Sequence, residues 1–518
     1  MCRFITRFTK TSPMRAVRVN IARNCCLAWA AVMAAYCAPA NAQESTEFVE
    51  MEQRIATVFE NYDAPGLSVA IIRDGKVVYT GTFGVRDLET GDPVTSDTQF
   101  GIGSLAKSFT GGLIASLADD GLVSLDAHPG QYLADLSGGA PSAPASLTLR
   151  HMLSQTSGLP VLDGSISFFP PAEQGALASR LTSFESRCHP GICWEYNNLN
   201  FFLLDAVAEQ VTMMSKDRLM SEHIFDRVGM TGTLSSSEAF ATSPNAAIGY
   251  VLSEDGLERS SLEYLFGEHV YATATDISLW LGLFMNEGRV GGAQVLPAEY
   301  VREAISMQAI HNGAPPSSSE PSVYLFGYGY GWNIKSVDGD FVVHHGGNEN
   351  GFSTHALFVP AKGYGVIALT NQQSSILPYV VTDIVLRELS GREPLAPEDY
   401  PVVVQEIAPL LAEDDVGLVM VDNEPLGLAP QQLTGRYAAE GYGTLEIEWR
   451  DGALWLETPL AEFVMIHRGG RTFGIGSTSR TRGGIRPAFF QLEFGGGQRP
   501  QTIDFNLAAG GVIFRRVQ

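Results

Sequence analysis

Three short segments carry side chains that could do acyl-transfer chemistry. The first is Ser104-Leu105-Ala106-Lys107, after Phe100-Gly101-Ile102-Gly103 and before an apolar helical run. On a helix, residues i and i+3 share a face, so the lysine amine reaches the serine oxygen. A serine hydroxyl is a weak nucleophile until a neighbouring base takes its proton. A lysine desolvated in a pocket can be that base. A helix N-terminus also aims backbone N–H groups at a developing oxyanion. Alone, the pair reads more readily as an N-cap serine beside a solvated lysine. The second segment is Trp194-Glu195-Tyr196-Asn197-Asn198, placed before an apolar helical run from Leu199 to Ala208. It offers a phenol that can shuttle a proton and an amide that can hold a carbonyl. A buried tyrosine and a capping asparagine would look the same. The third is His345-Gly346-Gly347-Asn348, which follows the strand-like Phe341–His344. Glycines at a strand end let another backbone approach closely, although a glycine-rich turn has the same composition.

These segments, in this order, resemble the serine β-lactamase and penicillin-binding protein superfamily, in particular its class C β-lactamase-like branch. That branch includes β-lactamases, D,D-carboxypeptidases, D-aminopeptidases and carboxylesterases. Thr148-Leu149-Arg150-His151-Met152-Leu153-Ser154-Gln155-Thr156-Ser157-Gly158-Leu159-Pro160 is similar to the branch signature TLRHLLSHTSGLP, with Gln155 where histidine is frequent. Gly121–Asp126 and Tyr328-Gly329-Tyr330-Gly331-Trp332 also match branch motifs, and the resemblance covers roughly residues 45 to 395. It implies Ser104 as acylated nucleophile, Lys107 as its base or as a tuner of Tyr196, and Tyr196 as proton carrier. It implies an oxyanion hole from the backbone N–H groups of Ser104 and Asn348, and substrate contacts from Asn198, His345 and Gly347. His345 stands where β-lactamases and penicillin-binding proteins usually carry the lysine of Lys-Thr-Gly. Imidazole is mostly uncharged at neutral pH, so it attracts a substrate carboxylate less than an ammonium does. The expectation therefore tilts toward a small-molecule ester, amide or peptide hydrolase, an esterase or D-amino-acid peptidase, ahead of an efficient β-lactamase or D,D-carboxypeptidase. A non-catalytic relative that binds peptidoglycan fragments or a partner is the alternative from a different class. A pure binding module has no need of a nucleophile beside a base.

Composition suits export. Residues 1–42 hold six lysines and arginines, an apolar stretch from Cys25 to Cys37 and Ala40-Asn41-Ala42, which reads as a cleaved signal peptide. Met14 is an alternative start. The mature protein is expected outside the cytoplasm, in the bacterial periplasm, without stable membrane insertion. The net charge of −23 becomes more negative after cleavage and disfavours nucleic acid. Of six cysteines only Cys188 and Cys193 would remain, expected as a short-loop disulfide that rigidifies the wall presenting Tyr196. A disulfide without catalytic role is the plainer alternative. No zinc-ligand spacing appears, so no metal and no cofactor is expected.

Elements that could position these residues are legible in outline. Residues 48–60 read as an amphipathic helix, and Leu67–Ile72 and Lys76–Tyr79 as a hairpin across Asp74-Gly75. A helix begins at Ser104, and a mostly helical stretch follows from Leu122 to about Arg302. Strands are expected at Gly327–Val337, Phe341–His344, His355–Pro360 and Gly363–Thr370. The fold class is α+β: an antiparallel sheet flanked by helices, plus a helical region. The expected organisation is a signal peptide at 1–42, the hydrolase domain at 43–395, a proline-rich acidic linker at 396–430 and an all-β domain at 431–518. The last reads as a small antiparallel barrel, similar to lipocalin-like domains on some members of the branch. It would cap the site, drive association, or act as an independent module. Loops Phe168–Ser186 and Ser253–Tyr271 are expected to shape the substrate pocket.

Overall fold

The computed structural model describes residues 48–517 except 63, 138–140, 161–177, 179–180, 182–184, 254–255, 261–268, 313–322, 396–424, 440–441, 460–461, 477–490 and 507–510. The expected signal peptide, most of the expected linker and much of the two pocket loops lie outside the described residues.

The chain opens with α1 (Val49–Glu60), which buries Met51, Ile55 and Val58 at helical spacing. Next come β1 (Gly66–Arg73) and β2 (Lys76–Gly84). Their turn uses Asp74 at φ 49° and Gly75 at φ 75°, the paired positive angles that a two-residue hairpin requires. After β3 (Phe100–Gly101) come α2 (Lys107–Asp119), α3 (Leu149–Leu153), α4 (Asn198–Thr212) and α5 (Lys216–Met220). Short strands β4 (Tyr250–Ser253), β5 (Gly256–Arg259) and β6 (Tyr271–Ala272) precede α6 (Ala274–Met285). The hairpin of β7 (Arg289–Val290) and β8 (Ala293–Gln294) then leads to α7 (Ala298–Ala304). The strands that follow are β9 (Ala309–Asn312), β10 (Val323–Tyr328), β11 (Asn333–Val337), β12 (Asp340–Glu349), β13 (Phe352–Val359) and β14 (Tyr364–Thr370). Helix α8 (Leu377–Ser390) completes this part.

Eight strands form one sheet in the order β2-β1-β14-β13-β12-β11-β10-β9, each neighbouring pair antiparallel. The two halves of the sheet are far apart in sequence, with the helical stretch between them, as the α+β reading expects. Helices cover both faces. Side chains alternate along a strand, so Thr354, Ala356 and Phe358 share one face of β13 and His355 lies on the other. Phe358 meets Phe284 of α6, whereas His355 meets Thr382 and Tyr379 of α8. Arg54 of α1 donates to Glu388 of α8 at 2.6 Å.

The structure differs from the sequence reading in two strands. The expected strand Gly327–Val337 is broken into β10 and β11 around Gly331. A Cβ on Gly331 would stand 2.8 Å from the Lys107 carbonyl oxygen, and its φ is 74°. The chain turns there so that it can pass against the start of α2. Conversely, the His345–Asn348 segment does not follow a strand; it is part of β12, paired with β13 through Glu349.

Eight further strands form a closed antiparallel barrel: β15 (Gly435–Ala439), β16 (Gly443–Arg450), β17 (Ala453–Glu457), β18 (Glu462–Gly469), β19 (Thr472–Gly476), β20 (Gln491–Phe494), β21 (Thr502–Phe505) and β22 (Val512–Arg516). Alternate residues such as Leu445, Ile447, Leu454 and Leu456 are buried, and Tyr437, Phe463, Phe473, Phe494, Phe505 and Phe514 also fill the interior. Closure removes the exposed edges of an open sheet.

Candidate active site

Ser104 lies in a 3-10 turn, Gly103–Ala106, that runs directly into α2 at Lys107. No side chain caps the turn or the helix, so Ser104 does not serve as an N-cap. Instead, Lys107 Nζ donates to Ser104 Oγ at 3.1 Å. Lys107 is 1% exposed and Ser104 is half-buried. The i,i+3 spacing thus brings amine and hydroxyl together as expected. Packing fixes the position of α2. Phe109 stacks on Trp280 of α6 at 4.3 Å, and Trp280 Nε1 donates to Ser108 Oγ at 2.9 Å.

Tyr196 arrives from the loop before α4. Lys107 Nζ stands 5.1 Å from the centroid of the Tyr196 ring and 5.6 Å from that of Phe201. The Tyr196 ring is in turn 6.2 Å from those of His345 and Tyr328. Asn198 is the first residue of α4, two positions beyond Tyr196. Capping falls to Asn197, whose Oδ1 accepts from Leu199 N at 3.0 Å. Helices α2 and α4 are tied from below: Thr110 Oγ1 donates to Asp205 Oδ1 at 2.9 Å, and Lys216 Nζ of α5 to Asp205 Oδ2 at 2.6 Å. Asp205 is fully buried, so this ion pair and hydroxyl satisfy a charge that would otherwise be costly.

Strand β12 supplies the opposite side. Strand alternation puts His345 and Gly347 on the face shared with Thr354, whose Oγ1 donates to Ile102 O at 3.0 Å. A Cβ on Gly347 would stand 1.9 Å from Ile102 O, and one on Gly103 would stand 2.6 Å from Asn348 N. The residues leading to Ser104 therefore press directly on Gly347-Asn348. On the other face, a Cβ on Gly346 would stand 1.8 Å from the Tyr379 hydroxyl. Both glycines are explained by close approach, one on each side of the sheet. The Asn348 side chain also points to the Tyr379 face, where Oδ1 accepts from Ser374 N at 2.7 Å and Ser353 Oγ at 3.2 Å.

His345 is 3% exposed, and burial pushes its pKa down to about 3, with the Lys107 charge adding to the fall. Its Nδ1 lies 2.6 Å from the Gly346 carbonyl oxygen. A carbonyl only accepts, so Nδ1 carries the proton and Nε2 is the acceptor. Tyr328 Oη, 3.3 Å from Nε2, then donates to it. His345 is a neutral ring held at both nitrogens, beside Tyr196. Behind the sheet, His344 and His355 lie 3.3 Å apart, nitrogen to nitrogen, and burial holds both well below the ordinary histidine range.

Cys188 and Cys193 are joined in a disulfide with Cα atoms 6.4 Å apart, in the loop that leads to Tyr196. Within the same loop Arg187 Nη1 pairs with Glu195 Oε1 at 2.9 Å. Main-chain bonds from Arg187, Gly191 and Glu195 reach Gly158, Thr156 and Gln155 at 2.9, 2.8 and 2.9 Å. In the sequence, Gln155 stands out only as a departure from a motif and Tyr328 only as part of a matched one, and neither the Asp205–Lys216 nor the His344–His355 pair is legible. The partners in both pairs stand 11 residues apart on different elements, a separation that no helix or strand rule singles out. Among the described residues, no group of three or more His, Cys, Asp or Glu could hold a metal ion. No helix there is long and apolar enough to cross a membrane.

A serine and an amine at one helix start, a tyrosine loop and a glycine-containing strand thus meet on one α+β body. A family description, Beta-lactamase, matches residues 51–389, and the chain belongs to that family. Protein flp of Staphylococcus aureus (strain NCTC 8325 / PS 47) is 24% identical over 343 residues, which is 64% of this chain and 65% of that protein. The chain thus matches just under two thirds of that relative's length. Unguisins hydrolase ungD of Aspergillus violaceofuscus is 22% identical over 454 residues, 80% of this chain and 79% of the relative. Among solved structures, the octameric penicillin-binding protein homologue from Pyrococcus abyssi superposes with a TM-score of 0.59 at 21% identity, over 90% of this chain and 99% of that one. A penicillin binding protein from Bacillus halodurans gives 0.52 at 25% identity, over 64% and 97%.

Proposed function

We propose that the protein is an exported serine hydrolase that forms an acyl-enzyme on Ser104 and then hydrolyses it, acting on a small ester or a D-amino-acid amide. The observation that carries this reading is the 3.1 Å contact between Lys107 Nζ and Ser104 Oγ, with the Tyr196 ring beside the amine. Lys107, deprotonated for the step, takes the serine proton as Oγ attacks the substrate carbonyl. Tyr196 carries a proton to the departing alkoxide or amine. The backbone N–H groups of Ser104 and Asn348 receive the developing oxyanion, a contribution of about 3 kcal/mol per donor in related chemistry. The turned-away Asn348 side chain and the bare Gly347 support that assignment. Asn198 holds the acyl-side carbonyl or amide. Water then attacks the acyl carbonyl, and Ser104 recovers its proton through the same groups.

His345 supports the ester or amide preference. A neutral ring whose nitrogens face Gly346 and Tyr328 gives a substrate carboxylate no cation, so its role is to hold Tyr328 beside Tyr196. One relative is named as a hydrolase, which agrees with turnover. One solved neighbour is a penicillin binding protein and another a homologue of one, so β-lactam acylation is the second reading. Removal of residues 1–42 during export places the Cys188–Cys193 bridge in an oxidising compartment, the periplasm, where such bonds persist.

The test is hydrolysis of p-nitrophenyl butyrate, a D-alanine amide and a chromogenic cephalosporin by the protein and its Ser104→Ala variant. Ester or amide turnover lost in the variant is expected. Cephalosporin turnover alone would move the assignment to a β-lactamase. Equal turnover by both proteins, or none by either, would overturn the reading.

A further inference from the structure

We propose that Gln155 is a positioning residue that locks Tyr196 in register with Ser104 and Lys107. The inference rests on the serine-hydrolase reading of the site and assigns a role to a residue that the chemistry does not touch. Gln155 follows α3, is 1% exposed, and has a φ of 60°, a region that non-glycine residues rarely occupy. Unusual backbone of this kind persists where surrounding structure enforces it, and it clusters at functional sites.

The contacts of Gln155 bracket Tyr196. Its carbonyl oxygen accepts from Glu195 N at 2.9 Å, one residue before the tyrosine. Its side-chain Oε1 accepts from Asn197 N at 3.1 Å, one residue after, and from Asn200 Nδ2 at 2.6 Å, in the first turn of α4. Asn197, held this way, extends the lock. It caps α4 through Leu199 N, and its Nδ2 donates to the carbonyls of Leu159 and Pro160 at 3.1 Å each. One amide oxygen thus fixes the loop on one side of Tyr196 and the helix start on the other.

The residue type matters. An amide oxygen has two lone pairs and serves both donors at once. A neutral imidazole, the group that the resemblance places here, has one acceptor nitrogen and can serve only one. Gln155 Nε2 has no hydrogen-bond partner among the described residues, so the acceptor end is the part in use.

The experiment compares wild type with Gln155→Leu, Gln155→His and Gln155→Glu, using p-nitrophenyl butyrate kinetics, thermal melts and hydrogen exchange at the Glu195 and Asn197 amides. For Gln155→Leu the expected result is a kcat roughly a hundredfold lower, as for a catalytic group misplaced by about an ångström, with KM within about threefold. Exchange at Asn197 speeds up. Gln155→Glu, which keeps the acceptor oxygen, restores most of kcat, and Gln155→His falls between. A lower melting temperature with kcat and Asn197 exchange unchanged would overturn the proposal, because that is a purely structural role. If wild type itself shows no turnover, the hydrolase reading fails, and exchange at Asn197 alone then decides whether Gln155 anchors the loop.

Discussion

The two sides of the site reach the same few ångströms by different physics. Ser104 and Lys107 sit at the start of α2, whose residues 107 to 117 are all buried between α4 and α6. Apolar packing holds them. Tyr196 sits on a loop whose neighbour Ile192 is 79% exposed. Hydrogen bonds donated to Gln155, a disulfide and the Arg187–Glu195 ion pair hold it. Disturbing the first side removes core packing and should cost stability. Disturbing the second removes orientation and should cost more turnover than the loss of stability accounts for.

The largest effect is expected where the two sides meet strand β12. Gly347→Ala puts a methyl 1.9 Å from Ile102 O, so the turn bearing Ser104 must shift. Turnover of p-nitrophenyl butyrate should fall roughly a hundredfold or more. Full activity in that variant would mean that the Ile102–Gly347 contact does not position the nucleophile. Next is Lys216→Met beneath the helices. It leaves Asp205 buried without its cation and should cost about 3–5 kcal/mol in denaturant unfolding. A loss under about 1 kcal/mol would show that the α2–α4 junction does not depend on this pair.

A smaller effect concerns pH. His344, His345 and His355 are held neutral by burial, His345 with a pKa of about 3. In the unfolded chain each titrates near 6.5. Below that value the unfolded chain binds protons that the folded one refuses. Stability present above about pH 6.5 is therefore lost as pH falls, by up to about 1.4 kcal/mol per unit for each ring. Melting temperature should drop on acidification, less steeply in His345→Gln. Parallel slopes for the two proteins would contradict the burial argument at His345. The smallest stability effect is Cys188→Ser. Opening so short a loop costs about 2 kcal/mol on chain-entropy grounds. On the tyrosine side, however, kcat should fall more than the loss of stability accounts for. Unchanged kcat would leave the bridge without a catalytic role.

The same contrast explains what the sequence revealed. Ser104 and Lys107 were legible because helix periodicity places i and i+3 together, whatever surrounds them. The Asp74-Gly75 hairpin and the barrel strands were legible because turn chemistry and alternation are local rules. Strand β12 was not read through Gly346-Gly347, because glycine weakens the strand signal. The reasons for those glycines, Tyr379 and Ile102, come from 33 and 245 residues away in the chain. Gln155 drew notice only by differing from a motif, and the Asp205–Lys216 pair drew none. Polar contacts between separate elements, such as those of Gln155 with Asn197 and Asn200, leave no spacing to find, and they hold the tyrosine side together with the disulfide and the Arg187–Glu195 pair.

Direct identification of the acylated atom tests the central claim best. The protein would be mixed with p-nitrophenyl butyrate, quenched in acid within the first turnovers, and mapped by peptide mass spectrometry. One butyryl group is expected, on Ser104, absent from the Ser104→Ala variant and accumulating more slowly when Tyr196 is replaced by phenylalanine. A butyryl group on another residue, or turnover with no covalent intermediate in wild type or in variants slowed at deacylation, would contradict it.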